Sequence, residues 1–591
     1  MNPSQALAEV LVDELVRHGV TDVVLCPGSR SAPLAYAVQA ADREGRVRLH
    51  VRVDERSAGF LALGLAKVSR RVVPVITTSG TAVANLHPAV LEAHHAGVPL
   101  LVLSCDRPAE LLRTGANQTT VQPGMFGEAV RWRHEIPAPE RRAGQVPVWR
   151  SAVSRACAAA MGALSGWAGP VHLDVALRDP LTPAAGGAQG CADPWPEPLD
   201  GRPGGAPWTA AVPAAGGAQR DLGESLLAAG AASRTVMVIG DLPEPELAGE
   251  AVRLARAAGW LVVSEPFGRM DREAVIPHGP LLLTCTDWLD EHLPDRVLVV
   301  GRLTLTRDVA GLLRRVARVE SVTVGPDWAD PASRVARVHP WAAIAAATAV
   351  LEGGPDASRV AAPDADWTRQ WAEAGDRLAE APLWSPTEVT GLSVATTVLE
   401  AAGAWSDETG RSAVVFVGSS QSARDLDWAA TGSASAVTVV GSRGLAGIDG
   451  CVATAVGIAL TREAPTCALM GDLTFLHDAN GLLVGPAEPR PDLTIVVTND
   501  DGGAIFATLE HGAPERAADF ERVFGTPTGA DLGALCAAYG VAHQRVTTLP
   551  DLRETLREKG SGIRVVEVPV DRSEVREARA QVRAAVAARL A

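Results

Sequence analysis

Several sequence features are missing, and each absence excludes a class of protein. The longest apolar runs are well short of the ~20 residues that a membrane-spanning helix needs. The eight cysteines are scattered, with no CxxC pair and no Cys/His cluster at zinc spacing, which is typical of reduced thiols in the cytoplasm. The N-terminal segment lacks the cationic start of a signal peptide. A formal net charge of −15 disfavours nucleic-acid or membrane-surface partners, which require a basic face. We therefore expect a cytoplasmic protein.

The composition that remains is that of a globular enzyme, with 47 % hydrophobic and 21 % charged residues. At 591 residues the chain is long enough for several domains. Short β-rich runs alternate with helical stretches, which predicts three consecutive open parallel-sheet α/β domains. The predicted boundaries are a first domain at 1–185, an Ala/Gly/Pro-rich linker at 186–221, a central domain at 222–352, a linker at 353–384 and a third domain at 385–591.

Glycine-rich polar sequences follow the predicted strands of the third domain. They are GSSQSARD (418–425), GSRGLAGIDG (441–450), GDLTFLHDANG (471–481) and NDDGGAIF (499–506). Function in open parallel sheets collects at the carboxyl ends of the strands. Glycine lets backbone N–H groups approach a phosphate, and a following helix start adds its positive end. Four such turns in one domain predict a phosphate or metal–phosphate site.

Acidic residues stand at two of these strand ends. Asp472 follows one buried strand, and Asn499 and Asp500 follow the next. A single Asp after a strand is commonly a helix cap. Two hard oxygen donors at neighbouring strand ends are instead what a Mg²⁺ that bridges a diphosphate requires. The pairing therefore favours a metal site.

This pair resembles the GDG…NN motif of thiamine-diphosphate enzymes. The resemblance implies that Asp472, Asp500 and the carbonyl of Gly502 hold Mg²⁺, or Mn²⁺ in its place. Leu473 replaces the last glycine of the motif, and Asp500 stands where the second asparagine is usual. Asn499 is the alternative ligand if the register differs by one residue. The three predicted domains would then have the thiamine-diphosphate-binding fold.

The same resemblance gives a chemical role to Glu55, in VRVDERSAGFLALGLA (51–66). The local pattern, a strand followed by an apolar helix, explains an acid here simply as a helix cap. Thiamine-diphosphate enzymes have a catalytic glutamate after a strand of the pyrimidine-binding domain, and Glu55 matches it. Capping would then fall to Asp54 or Ser57. In this family the pyrimidine domain of one subunit faces the diphosphate domain of another, which implies a homodimer or homotetramer with active sites between subunits.

More specific stretches narrow the resemblance further. They are CPGSRSAPL (26–34), DERSAGF (54–60), TSGTAVANL (78–86), DRPAELL (106–112), GANQT (115–119), GSSQSARDLD (418–427), GSRGLAGIDG (441–450) and NDDGGAIF (499–506). Together they are similar to the 2-succinyl-5-enolpyruvyl-6-hydroxy-3-cyclohexene-1-carboxylate synthase family of menaquinone biosynthesis. The implied transferase reaction decarboxylates 2-oxoglutarate and adds the resulting succinyl carbanion to isochorismate. Both substrates are polyanions, so their site should be rich in guanidinium groups.

The resemblance implies a role for each residue that matches the family pattern. The implied catalytic residues are Glu55, Gln118, Ser420, Arg424 and Arg443. The implied cofactor-binding residues are Glu55, Pro27, Thr81, Ser419, Ser420, Gly444, Ile448, Gly471, Asp472, Leu473, Thr474, Asn499 and Ile505. The implied substrate-binding residues are Ser29, Arg30, Arg107, Asn117, Gln118, Arg307, Ser420, Arg424, Arg443, Ile505, Phe506 and Leu509. Any single arginine of this set could instead form an ion pair on the surface. The apolar residues Ile448, Ile505, Phe506 and Leu509 could instead belong to the hydrophobic core.

Two other functions remain open from the sequence. Another thiamine-diphosphate decarboxylase or carboligase, similar to acetolactate synthase, would share Glu55 and Asp472 but need fewer arginines. A non-catalytic nucleotide-binding protein would need no acid at the position of Glu55. The choice between dimer and tetramer is open, as is regulation by a downstream naphthoate through Arg107 and Arg302.

Overall fold

The computed structural model describes residues 1–183, 195–211, 220–228, 233–305, 307–353, 362–434, 436–461, 464–558 and 560–591. These residues form two compact units. The first comprises Met1–Ala214, Asp449–Thr461 and Asp478–Arg490, and the second comprises Ala215–Ile448, Arg462–His477 and Pro491–Ala591. Parts of both predicted linkers, 186–194, 212–219 and 354–361, lie outside the described residues. The domain boundaries stay a prediction.

The first unit is built on a parallel sheet. Its strands are β1 (Asp22–Leu25), β2 (Arg48–Val51), β3 (Val73–Thr77), β4 (Leu100–Asp106), β5 (Trp132–Ile136) and β6 (Val171–Ala176). Its helices include α1 (Pro3–Arg17), α2 (Ala32–Arg43), α3 (Glu55–Ser69), α4 (Thr81–Ala84), α5 (His87–Ala96) and α6 (Val146–Ala160). The strand order is β2-β1-β3-β4-β6-β5. Strands such as β3 and β4 are buried throughout, because helices cover both faces of a parallel sheet.

The second unit contains two further parallel sheets. The first has β7 (Thr235–Ile239), β8 (Leu261–Ser264), β9 (Arg296–Val300), β10 (Arg318–Thr323) and β11 (Val335–Pro340), with α7 (Arg220–Ala228), α8 (Leu247–Ala258), α9 (Gly279–Leu282), α10 (Thr286–Glu291), α11 (Arg307–Arg315), α12 (Ala342–Gly353) and α13 (Ala365–Ala379). Its strand order is β11-β10-β9-β7-β8. Helix α13 falls within the predicted linker 353–384.

The last sheet has the strand order of a doubly wound fold and carries the metal-site motif. Its strands are β12 (Val414–Val417), β13 (Thr438–Gly441), β14 (Thr466–Gly471), β15 (Leu493–Asn499), β16 (Ala542–Arg545) and β17 (Ile563–Pro569). The helices of this part of the chain are α14 (Gly391–Thr409), α15 (Gln421–Ala429), α16 (Cys451–Thr461), α17 (Asp472–His477), α18 (Ala504–Thr508), α19 (Ala517–Phe520), α20 (Leu532–Ala538), α21 (Leu549–Arg557) and α22 (Val575–Leu590). The order is β13-β12-β14-β15-β17-β16, so β12, β14 and β15 are central neighbours. The predicted α/β class with parallel sheets is confirmed.

Helix α16 belongs to the first unit, where it packs closely on α3. A Cβ at Gly64 would clash with the carbonyl oxygen of Thr454, and a Cβ at Gly457 would clash with that of Leu61. Glycine is required at both positions because the two helix backbones approach each other there. This contact holds the helix that begins at Glu55.

The short β-rich runs of the sequence are present as strands, but three edge strands have no such run. These are β5, β11 and β16, whose residues are largely exposed or half-buried. The sequence of residues 81–95 predicts one continuous helix, but the structure interrupts it at Asn85 and Leu86, between α4 and α5. In the parts of the chain that the structure describes, no helix has the length and apolarity to cross a membrane.

Candidate active site

A cavity of about 160 Å³ lies at the carboxyl ends of β12, β14 and β15 in the second unit. Many of the residues predicted to bind the cofactor, the metal or the substrate line it. They are Ser419, Ser420, Ile448, Gly471, Asp472, Leu473, Thr474, Asp500, Gly502, Ile505 and Phe506. The structure therefore brings together residues from four strand-end segments, as expected for the functional edge of an open α/β sheet.

Two buried carboxylates face this cavity with oxygen atoms left unpaired. Asp472 accepts a 2.9 Å hydrogen bond from the Gly502 N–H through Oδ2, while its Oδ1 has no partner among the described residues. The Oδ1 atom of Asp500 is likewise buried, with no hydrogen-bond partner in the described chain, and Arg572 Nη1 lies 3.9 Å away. Buried polar groups are nearly always satisfied, so this pair fits an added cation.

Burial controls the protonation of this acid pair. It raises the pKa of Asp472 to about 6. Burial and the neighbouring charge of Asp472 raise the pKa of Asp500 to about 8. Two carboxyl groups with this mutual repulsion favour a divalent cation between them. No group of three or more His, Cys, Asp or Glu side chains could hold a metal among the described residues, so carbonyl and ligand oxygens would complete the coordination shell.

The side chains of Asn499 and Asp501 are used inside the turn instead. Asn499 Nδ2 donates to Glu567 Oε1 at 2.9 Å, and its Oδ1 accepts from the Asp501 N–H at 3.0 Å. The Asp501 carboxylate accepts from two backbone N–H groups of the 528–529 segment, each at 2.9 Å. Of the two candidate ligands, Asp500 is the one with a free oxygen beside the cavity. Gly502 has φ +153°, and a Cβ there would clash with the Gly525 carbonyl.

The turn after β12 fits a phosphate. Ser420 precedes α15 with φ +74°, an unusual conformation for a non-glycine residue. The buried Ser419 Oγ has no hydrogen-bond partner among the described residues. A free hydroxyl beside a helix start is a suitable donor set for an anion.

A much larger cleft of about 880 Å³ lies in the same unit and contains an excess of arginines. Of the predicted substrate-binding residues, Arg307, Arg424 and Leu509 line it. Four further arginines of the lining were missed by the sequence analysis, namely Arg516, Arg576, Arg579 and Arg583. The sequence does contain an indication of Arg576, Arg579 and Arg583, because their spacing places them on one face of a helix.

Arg443 does not line either of these two cavities. It is buried, stacks on Phe267 and donates to Thr304 Oγ1 at 3.1 Å and to the Thr304 carbonyl at 3.0 Å. The Glu265 carboxylate accepts from the N–H groups of Thr304 and Leu305 at 2.7 and 2.8 Å. Burial raises the pKa of Glu265 to about 7. These contacts order the loop that leads to α11.

The loop and turn that carry Arg302 and Gly444 contact each other. Arg302 Nη1 donates to the Gly444 carbonyl at 3.1 Å, and the Arg302 guanidinium lies 3.8 Å from Asp241. Two backbone bridges also join this part of the unit, Asp241 to Arg302 and Gly268 to Val439. The turn after β13 is therefore held by the central sheet.

Glu55 is the first residue of α3 in the first unit. Asp54 is the N-cap and accepts from the N–H groups of Arg56 and Ser57 at 2.9 and 3.3 Å, so the predicted capping role of Asp54 is confirmed. Asn480 donates to Asp54 at 2.8 Å. The half-buried Glu55 carboxylate makes no hydrogen bond or ion pair within the described chain. It is therefore free to bind a ligand.

Two of the remaining predicted residues of the first unit, Arg107 and Gln118, contact the 79–81 loop. Arg107 donates to Ser79 Oγ and to the Gln118 carbonyl, and Gln118 Nε2 donates to the Ser79 carbonyl at 3.0 Å. Arg30 donates to the Leu177 carbonyl at 2.8 Å, and its charge contributes to lowering the pKa of Arg107, after burial. Pro27, Ser29, Thr81 and Asn117 are exposed.

A second buried acid pair supports this loop. Asp174 Oδ1 accepts from Ser104 Oγ at 2.6 Å and from Gln122 Nε2 at 2.8 Å. The Arg107 N–H donates to Asp106, and the two carboxyl groups are hydrogen-bonded to each other. Gln122 Oε1 in turn accepts from the Gly80 N–H at 2.9 Å. The pair is thus satisfied within the protein.

Comparison with known proteins decides the family. Residues 5–125 match the model of the N-terminal TPP binding domain of thiamine pyrophosphate enzymes, and residues 417–568 match the C-terminal TPP binding domain. The chain is 48 % identical over 593 residues to 2-succinyl-5-enolpyruvyl-6-hydroxy-3-cyclohexene-1-carboxylate synthase of Rhodococcus opacus, covering 99 % of this chain and all of that protein. The synthases of Saccharopolyspora erythraea and Kineococcus radiotolerans are 45 % and 46 % identical, with at least 99 % of each chain covered.

The chain belongs to the 2-succinyl-5-enolpyruvyl-6-hydroxy-3-cyclohexene-1-carboxylate synthase family. This family membership confirms the resemblance inferred from the motifs and makes the protein a thiamine-diphosphate-dependent enzyme. The matched C-terminal domain contains the two free carboxylates and most of the residues that line the 160 Å³ cavity. The matched N-terminal domain contains Glu55. The comparisons establish the family, and the roles of individual residues stay predictions.

Proposed function

We propose that the protein decarboxylates 2-oxoglutarate and adds the four-carbon unit to isochorismate. The products are 2-succinyl-5-enolpyruvyl-6-hydroxy-3-cyclohexene-1-carboxylate and CO₂, in menaquinone biosynthesis. The observation that carries this proposal is the pairing, within one unit, of a small acid-lined cavity with an 880 Å³ arginine-lined cleft. Carboxylates bind guanidinium groups in two-point contacts, and both substrates are dicarboxylates.

Asp472, Asp500 and the carbonyl of Gly502 would hold Mg²⁺, or Mn²⁺, against the cofactor diphosphate. The free oxygens of the two carboxylates support this assignment, and the internal hydrogen bonds of Asn499 disfavour it as the ligand. When bound, thiamine diphosphate supplies the nucleophilic carbon and the electron sink for decarboxylation. Ser419 and Ser420 would donate to the diphosphate.

Glu55 would hold the proton at the aminopyrimidine ring of the cofactor. Its support is the free carboxylate at a helix start that Asp54 already caps. Ile448, Ile505 and Phe506 line the small cavity, which supports an apolar contact with cofactor or substrate. Thiamine-diphosphate enzymes place the pyrimidine domain of one subunit against the diphosphate domain of another, so we infer a homodimer or homotetramer with active sites between subunits.

Arg307 and Arg424 would bind substrate carboxylates in the cleft. Arg30, Arg107 and Gln118 would do so from the first domain, where the structure groups them near the 79–81 loop. Arg443 is better suited to positioning, since its guanidinium holds the loop before Arg307. The scattered cysteines support a cytoplasmic location.

The deciding experiment measures CO₂ release from 2-oxoglutarate with thiamine diphosphate and Mg²⁺, in the presence and absence of isochorismate. Consumption of both substrates is expected, with pyruvate a poor replacement for 2-oxoglutarate. Turnover of pyruvate but not of 2-oxoglutarate would instead favour an acetolactate-synthase-like carboligase. An absence of decarboxylation with either acid would contradict the proposal.

A further inference from the structure

The C-terminal helix α22 has an apolar face that borders directly on a cationic face, and the largely buried Arg579 lies where the two meet. Val582, Val586 and Leu590 are buried in the same hydrophobic cluster as Trp367 and Trp371. The cationic face carries Arg576, Arg579 and Arg583, spaced at i, i+3 and i+7, which places them in one row. All three line the 880 Å³ cleft. Core packing of the apolar face therefore fixes the direction in which the arginines point.

The cleft has more positive charge than its own acids can neutralise. Six arginines line it, against the two acids Asp308 and Glu510. Arg424, Arg516 and Arg576 hydrogen-bond to backbone carbonyls and form no ion pair with a carboxylate among the described residues. In a chain of formal net charge −15 this local excess indicates an anionic ligand.

The two ion pairs across the cleft are exposed and weak. Arg307 lies 2.7 Å from Glu510, and Arg583 lies 3.3 Å from Asp308, with exposed fractions between 24 % and 77 %. Exposed pairs of this kind contribute about 0–1 kcal/mol. A ligand carboxylate can therefore replace either acid at little cost.

Arg579 is held rigidly between the two cavities and lines both of them. Its guanidinium lies 2.7 Å from Asp425 and 3.5 Å from the centre of the Trp428 ring. Burial, followed by the charges of Arg443 and Arg579, lowers the pKa of Arg424. An anion bound between Arg424 and Arg579 would relieve this repulsion.

We propose that Arg576, Arg579 and Arg583 are additional binding residues for the acceptor substrate, a ring-bearing dicarboxylate. This inference rests on the proposed function, in which that acceptor is isochorismate. The cleft, at about 880 Å³, has room for a substituted ring, whereas the acid-lined cavity beside it has about 160 Å³. Three arginines in a row match two carboxylates separated by a ring.

The test is the double variant Arg576→Gln/Arg583→Gln, which changes two exposed side chains and keeps the buried Arg579. Arg557→Gln is the matched control, because Arg557 is exposed on α21 and pairs only with Glu554 among the described residues. In the holoenzyme we expect the double variant to raise the KM for isochorismate about 10-fold, while the KM for 2-oxoglutarate changes less than about 2-fold. Arg579→Gln should have the larger effect on the same KM.

Calorimetric titration with isophthalate, a non-reacting ring dicarboxylate, separates this inference from the reaction itself. The wild-type protein should bind isophthalate at least about 5-fold more tightly than the double variant does, and higher salt should narrow the difference. If the wild-type protein did not turn over isochorismate, the proposed reaction would be contradicted. If the double variant still bound isophthalate more weakly than the wild type, the binding role of the arginines would be supported even then. Unchanged KM and unchanged isophthalate affinity in the double variant would overturn the inference.

Discussion

Two buried pairs of aspartates stand near the carboxyl ends of neighbouring parallel strands, one pair in each unit. Asp106 and Asp174 belong to β4 and β6, and Asp472 and Asp500 follow β14 and β15. The first pair is satisfied internally by Ser104, the Arg107 N–H, Gln122 and a hydrogen bond between the carboxyl groups. In the second pair, each carboxylate keeps one buried oxygen without a partner in the described chain.

The difference separates a structural acid pair from a ligand site. In the first pair, one shared proton and nearby donors remove the need for a cation. In the second pair, the Arg572 guanidinium lies 3.9 Å from Asp500 and makes no hydrogen bond to the free oxygen, and a cavity lies beside both carboxylates. Burial raises pKa values in both pairs, so a pKa shift alone would not have distinguished them. The hydrogen-bond partners do.

Substituting one acid of each pair should give the largest contrast. Asp472→Asn should lower kcat/KM on the order of 10³-fold, because it removes an anionic metal ligand. Asp174→Asn should leave the dissociation constant of thiamine diphosphate, measured by calorimetry with Mg²⁺, within about 3-fold of wild type. The distinction between the two pairs would be wrong if both variants lost affinity for thiamine diphosphate equally, or if Asp472→Asn kept the affinity of the wild type.

Glu55 differs from both aspartate pairs, because its carboxylate has no partner in the described chain and lies outside the proposed cation site. Glu55→Gln should lower kcat about 10²–10⁴-fold, the usual range for loss of general acid–base catalysis. The denaturation midpoint should not change, since the carboxylate has no partner within the described residues. The neighbouring Asp54→Asn is the control, because Asn caps a helix as well as Asp does. Equal activity losses in the two variants would contradict a chemical role for Glu55.

Metal removal should affect stability through the second pair only. Thiamine diphosphate and Mg²⁺ at about 100 times the dissociation constant should stabilise the wild-type protein by about 2.7 kcal/mol. EDTA should cancel that shift in the thermal midpoint. The shift should survive in Asp174→Asn and be absent in Asp472→Asn. Stabilisation of Asp472→Asn by the same additions would mean that the cation binds elsewhere.

The smallest expected effect is a change in the pH dependence of stability. Burial, aided by the charge of Asp106, raises the pKa of Asp174 from 3.8 to about 7. A carboxyl with a raised folded-state pKa contributes stability that is complete below about pH 4 and is lost as the pH rises through 7. Asp174→Asn removes this loss, so the variant should gain on the order of 1–2 kcal/mol over wild type between pH 5 and 8. The urea midpoints of both proteins at pH 5 and pH 8 measure this gain. If the stability of the variant and of the wild type changed equally with pH, the shared proton would be contradicted.

The strands that could be predicted are those buried on both faces. Runs such as Val73–Thr77 and Leu493–Asn499 are apolar because helices cover the sheet on both sides. The strands that were not anticipated, β5, β11 and β16, lie at sheet edges. Edge position alone does not explain this, because the edge strands β8 and β13 are buried throughout. The residues of β5, β11 and β16 are mostly exposed or half-buried, so these strands lack an apolar run.

The candidate site was predictable to the extent that it depends on strand ends. Asp472 and Asp500 each follow a strand in the sequence, and so does Glu55 in the first domain. These positions can therefore be identified from the chain alone. The motif resemblance then supplied their chemistry. Arg579 could not be found in this way, because its partners Asp425 and Trp428 are more than 150 residues away.

Local sequence determined the α/β class, the buried strands and the family, since these depend on periodicity and on short motifs. Only the tertiary structure decided which acids remain free. Asn499 and Asp500 are adjacent in the chain, yet Glu567 binds one and a cavity faces the other. The same holds for the arginines of α22, whose direction follows from the packing of Val582 and Val586 in the core. Whether a polar group is satisfied depends on atoms that distant segments bring to it, and no local pattern contains that information.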